Sequence, residues 1–160
     1  MAKILYDFEF NFQVTDGEET GYTEVVGDST EVEDFSVIGG LAGILSRDGR
    51  GDTDDARIMA EFYQARQFHN LQIKKPLNRV TLNIDRIYYR KLSFQFSFAV
   101  SSLSPNSKFK GLELEAKDAQ ITVPPNRNSN FEVLIITFSE PKIHYWTHTK
   151  EGNLITEWDL

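Results

Sequence analysis

Histidine and aspartate are the residues of this chain whose spacing invites chemistry. His144 and His148 stand four apart in "KIHYWTHT", a stretch that alternates apolar and polar positions. On a strand both rings point to one face, about two pleats apart, too far to chelate a single ion without distortion. His69 is distant in sequence. The pair reads as two half-exposed strand histidines beside Trp146. Asp48, Asp52, Asp54 and Asp55 offer calcium-type oxygens, yet their loop lacks the spacing and the closing glutamate of an EF-hand, so they read as a solvated loop. "RGD" at Arg50 to Asp52 is too short to carry an adhesion reading. No glycine-flanked serine resembles a nucleophile elbow, and there are no cysteines to supply a thiolate, a disulfide or a sulfur nucleophile. Paired carboxylates for glycoside chemistry, a phosphate-binding glycine loop and a basic aromatic face are also missing. The residues point to no catalytic group, no metal and no cofactor: the chain reads as a building part rather than an enzyme.

The elements that must position any surface function come next. At 160 residues the chain is sized for one domain, taken here as 1–160, with a real core. Net charge is −7, which argues against nucleic acid as a partner. Its distribution is uneven: residues 1–46 hold ten acids against one base, Lys3, while the remainder holds 14 acids against 16 bases. In a solitary domain that is a solvated surface; in a repeating assembly it would let one end of a subunit attract the other end of the next. The opening "MAKILYDFEFNFQV" has no continuous apolar core of the signal-peptide kind, and no stretch is long enough to cross a membrane. The expected location is the cytoplasm.

Period-two alternation dominates. Ile4, Tyr6, Phe8, Phe10, Phe12 and Val14 share one face of a first strand, broken only by Leu5. An acidic turn-rich segment follows, then a second strand over Glu31 to Ile38 that Gly39-Gly40 ends. Residues 39–55 read as a long loop with few internal reasons to be rigid. Over 55–66, acids precede the pairs Ile58-Met59 and Phe62-Tyr63 and Arg66 closes the segment, as a helix dipole favours; a strand with Ile58, Ala60 and Phe62 on one face is the alternative. Val80, Ile84, Ile87 and Tyr88 give a short helix over 80–91 after a cap at Asn78 or Thr81. Strands follow over Leu92 to Val100 and from Gly111, with a bulge near Asp118. "FEVLIITF" is apolar on both faces, like a central strand, and Pro141 interrupts it. Glu151-Gly152-Asn153 supplies a turn before "LITEW". The sum, about seven or eight strands with one or two helices, fits a mainly β fold, a small barrel or two-sheet sandwich.

Four stretches carry a resemblance: "TEVEDFSVIGG" (Thr30 to Gly40), "LQIKKPLNRVT" (Leu71 to Thr81), "GLELEAKDAQIT" (Gly111 to Thr122) and "EVLIITFSEPKIHYWTHTKEGNLITEW" (Glu132 to Trp158). Their order resembles the Hcp family, the tube subunit of bacterial type VI secretion, which shares its fold with phage tail-tube proteins. Asn78 stands where that family usually has Asp, and Thr81-Leu82 where Ser-Pro is usual. The segment "DARIMAEFYQARQ" is longer than the family's connection. The resemblance implies a barrel around one short helix, subunits closing into rings, hexameric in the family, and rings stacking head to tail into a tube. Its implied partners are copies of itself, a spike protein, a sheath and secreted effectors carried in the lumen, with export by the apparatus in place of a signal peptide. By the same analogy the 39–55 loop reaches the adjacent ring through Arg47, Asp48, Arg50, Asp52 and Asp54, and Phe131, Val133 and Ile135 serve subunit contact. Two other readings stay open: a phage-like tail tube or other injection-device part, and a monomeric ligand-binding β-barrel with an apolar cavity.

Overall fold

The computed structural model describes residues 5–15, 27–104, 107, 109–148 and 154–159. Ten strands and two helices lie among them: β1 (Tyr6–Val14), β2 (Gly27–Glu31), β3 (Asp34–Ser36), β4 (Leu45–Ser46), α1 (Asp55–Phe68), β5 (Asn70–Pro76), α2 (Val80–Arg90), β6 (Phe94–Ser102), β7 (Gly111–Gln120), β8 (Asn126–Arg127), β9 (Phe131–His148) and β10 (Leu154–Asp159). The main path runs β2-β1-β6-β7-β9-β5-β3-β4, with β8 and β10 added against β9. Neighbours are antiparallel, as in β1 on β6, where Phe8 faces Val100 and Phe12 faces Phe96. The fold is mainly β, as the alternation implies. The acidic turn over 16–26, the Pro105-Asn106 turn and the 151–153 turn lie outside the described residues.

The expected second strand over Glu31 to Ile38 is two strands. Val32 N donates to Phe8 O at 3.0 Å, and the next residue, Glu33, donates to Lys74 O at 2.7 Å. Between them the chain leaves β1 and joins β5. Tyr6 N also donates to Arg47 O at 2.9 Å, just beyond β4. The β4 end of the strand order is thereby tied back to β1 beside β2, which curls the sheet toward a barrel.

Pro141 does not end the "FEVLIITF" strand; β9 runs through it to His148. Its first half pairs with β5 from Thr137 to Phe131, and its second half pairs with β7 and β10. Proline is tolerated there because it sits in a bulge, where the β7 register shifts between Glu115 and Lys117 and Glu140 adopts a positive φ of 52°. The bulge expected near Asp118 is present, with Asp118 itself at φ 51°.

The 55–66 segment is a helix, and it extends to Phe68. Asp54 caps it, accepting from Arg57 N at 2.9 Å, and His69 closes it in the left-handed region with its N–H on Ala65 O. Tyr6 Oη donates to Asp55 Oδ1 at 2.7 Å, which ties the helix start to β1. Ile58, Phe62 and Ala65 are buried. Phe62 enters an aromatic core, its ring 5.8 Å from Phe98 and 5.7 Å from Phe35. Phe8, Phe10, Phe94 and Phe98 are fully buried in the same core, and Phe96 nearly so. The helix that "DARIMAEFYQARQ" adds is therefore part of the core. α2 buries Val80, Ile84 and Ile87 as its spacing requires, while Leu82 and Tyr89 face outward. Asn78 Oδ1 accepts from Val80 N at 3.0 Å at its entrance.

Candidate assembly surfaces

The loop from Gly39 to Asp55 is more ordered than its glycines imply. β4 pairs with β3, Leu45 opposite Phe35, and makes the loop a short hairpin. Thr53 is buried; its Oγ1 accepts from Ser46 N at 2.9 Å and donates to Arg50 O at 3.0 Å. Asn70 clamps the loop's entrance, accepting from Ile38 N at 2.8 Å and donating to Ile38 O at 3.1 Å.

The structure places the charged residues of this loop against their own chain. Arg47 bridges Glu33 at 3.0 Å and Glu31 at 3.5 Å, both acids of the N-terminal third. Arg50 Nε lies 2.6 Å from Asp48 Oδ2. Asp54 is spent on the α1 cap, and Asp52 is exposed. Beside these exposed charges the loop also offers apolar groups outward: Leu41 is 87% exposed and Ile44 68%, with Ile38, just before the loop, also open. Sequence reasoning passed over these three. Their signal was apolar residues set between glycines in "VIGGLAGIL", where neither helical nor strand periodicity demands them.

On β9 the faces divide cleanly. Leu134, Ile136 and Phe138 are buried, whereas Phe131, Val133 and Ile135 are half-buried on the opposite face. Lys74 Nζ sits 4.7 Å over the Phe131 ring. A shallow cleft of about 60 Å³ brings Val133 together with Ile44, Gln72 and Lys74, so one expected contact residue of β9 shares a surface with the apolar tip of the loop.

The inward series on β9 also contains Glu132, which is fully buried against Lys75 directly opposite on β5. Lys75 Nζ lies 2.5 Å from Glu132 Oε2 and donates to Pro76 O at 2.9 Å. Thr81 Oγ1 donates to Glu132 Oε2 at 2.6 Å, and Arg127 donates to Oε1 from Nε and Nη2 at 3.2 and 3.1 Å while also pairing with Asp85. Burial by itself would raise the Glu132 pKa; the hydrogen bonds from Lys75 and Thr81, with the Lys75 and Arg127 charges, overcome it and hold the group below the ordinary carboxylate range. The network joins β5, α2, β8 and β9. Period two in "LQIKKP" puts Lys75 inside with Leu71 and Ile73, which is the signal that sequence reasoning left unused.

Beneath the loop lies a second buried ionisable group. Glu61 of α1 is fully buried, and neither carboxyl oxygen meets a hydrogen-bond partner among the described residues. Burial pushes its pKa up to about 7, offset only in part by the nearby Val37 backbone. Gly40 covers it so closely that a Cβ there would fall 2.0 Å from Glu61 Oε1. The turn that opens the loop therefore rests on an isolated carboxyl.

No family model and no curated protein matches the chain. Among solved structures, one described as a type six secretion system protein aligns over 94% of this chain and 91% of its own, with a TM-score of 0.50 and 11% identity. The chain has the fold of a type VI secretion protein. The crystal structure of Hcp2 from Salmonella typhimurium aligns over 94% of this chain and 95% of its own, at 14% identity and a TM-score of 0.43, a likeness too loose to carry weight. The type VI secretion fold accounts for most of the chain, and no described helix is long and apolar enough to cross a membrane.

Proposed function

We propose that this chain is a structural, non-enzymatic subunit of a contractile secretion apparatus, closing into rings that stack head to tail as its inner tube. The observation that carries the reading is the extent of the shared fold: 94% of this chain aligns with 91% of a type six secretion system protein, so a whole unit is common rather than a fragment. Fold does not by itself carry function. The surfaces add independent support, because an exposed apolar loop tip beside a half-buried apolar strip is what heterologous contacts between copies need. In this reading residues 1–160 are one tube domain, made in the cytoplasm and exported by the apparatus. Its partners are further copies, the spike, the sheath and effectors in the lumen.

The loop from 39 to 55 makes the contact between rings, and Phe131, Val133 and Ile135 pack between subunits. Leu41 and Ile44 carry most of the loop's contribution, since Arg47 and Arg50 already have acids of their own chain as partners. Light scattering across a range of protein and salt concentrations tests this. Wild-type protein is expected as rings of about six subunits with larger stacks, and the double substitution Leu41→Ser with Ile44→Ser should leave rings but abolish stacks. Reversing Arg47 and Arg50 to Glu should weaken stacking less. A strict monomer at every concentration would overturn the tube reading and favour the ligand-binding barrel.

A further inference from the structure

The sheet face turned away from the core carries the polar positions of β1, β6, β7 and β9, and one group on it converges. Glu113 of β7 and His144 of β9 are direct partners in the ladder. Glu115, two residues along β7, points to the same face. His144 Nε2 lies 3.2 Å from Glu115 Oε2. One ligand atom from each of the three side chains lies within 4.8 Å of the other two.

Two carboxylates this close cannot both stay charged without help. Burial first, then the hydrogen bond to Glu115 and its charge, pushes Glu113 up to about 7; the hydrogen bond from Glu113 comes first among the causes that hold Glu115 below the ordinary range, with His144 adding to it. A divalent cation placed between them would offset their like charge and favour the deprotonated donors.

We propose that Glu113, Glu115 and His144 form a binding site for a divalent transition-metal ion, with Zn2+ the ion that best fits the donor set. One imidazole and two carboxylates suit zinc, whereas calcium and magnesium prefer oxygen alone. Zinc holds nitrogen and oxygen at about 2.0–2.2 Å, which places neighbouring ligands about 3.4 Å apart. The Glu115–His144 edge, at 3.2 Å, is close to that length, and the Glu113 ligand atom lies within 4.8 Å of both. Glu115 is half-exposed, so the fourth position opens to solvent for water or a ligand from a partner. Lys142, opposite Glu115 in the ladder, is the competing cation. The spacing of His144 and His148 along one strand argues against a shared ion; the chelating geometry lies across two strands instead. The site rests on register and donor chemistry and is independent of the tube reading.

Isothermal titration of Zn2+ into the full chain at neutral pH tests it. The expected result is one equivalent bound per chain, weakened at least about tenfold by His144→Ala and by Glu115→Gln. His69→Asn, remote from the site, should leave the affinity unchanged. Because the variants replace partly structural side chains, the wild-type protein gives a second readout: Zn2+ should shift the NMR signals of one imidazole among the three in the chain. Absence of saturable binding, affinity that survives His144→Ala, or three unshifted imidazoles would overturn the proposal.

Discussion

Glu61→Gln isolates the energetic consequence of the carboxyl under the loop. The side chain is fully buried and partnerless among the described residues, and its pKa rises from 4.5 to about 7 on folding. Between those two values the folded protein binds more protons than the unfolded chain. Stability contributed by the neutral acid is therefore fully present below 4.5, declines as pH rises through the window and is lost above about 7. The rise corresponds to about 3 kcal/mol across the window. Glutamine keeps the shape and cannot ionise. Urea unfolding of both proteins from below pH 4.5 to above pH 7 should give matching stabilities at the acid end and a variant more stable by up to about 3 kcal/mol at the alkaline end. The comparison cancels other groups that titrate in the window, Glu113 among them, because both proteins retain them. A stability difference that stays constant across the whole range would refute the reasoning.

Removing one member of the buried pair, by Lys75→Met or Glu132→Leu, should cost about 3–5 kcal/mol in urea unfolding, because the remaining charge is left in the core. Combining Lys75→Met with Glu132→Leu should recover a large part of that loss, and strict additivity would count against a coupled pair. Gly111→Ala places a Cβ 1.8 Å from Trp146 Cε2, so stability should fall by about 1–3 kcal/mol with a changed near-ultraviolet tryptophan signal. An unchanged spectrum would mean that the indole does not rest on this glycine.

How legible the molecule was depends on which force set each feature. The face of a strand that meets the core is written in its own alternation, so Phe8, Phe10, Phe94 and Phe98 could be read as core, and all four are fully buried. The short helix read over 80–91 followed from Val80, Ile84 and Ile87 in the same way. The candidate surface was half legible. Phe131, Val133 and Ile135 do lie on the outer face of β9, but Arg47 is taken up by Glu33, which the β3–β4 hairpin brings beside it, and Asp54 by the local α1 cap.

By itself the sequence determined the mainly β character, the inward residues of β1, β6 and β7, the helix over 80–91 and the bulge at Asp118, because backbone period and local turn chemistry act over a few residues. Only the tertiary structure decided what each strand lies beside. The break of one apparent strand at Val32 and Glu33, the passage of β9 through Pro141, the meeting of Lys75 with Glu132 and the convergence of Glu113, Glu115 and His144 all follow from the closure of the sheet. Closure pairs residues far apart in the chain, and that choice is made by the energy of the whole core rather than by any one segment's pattern.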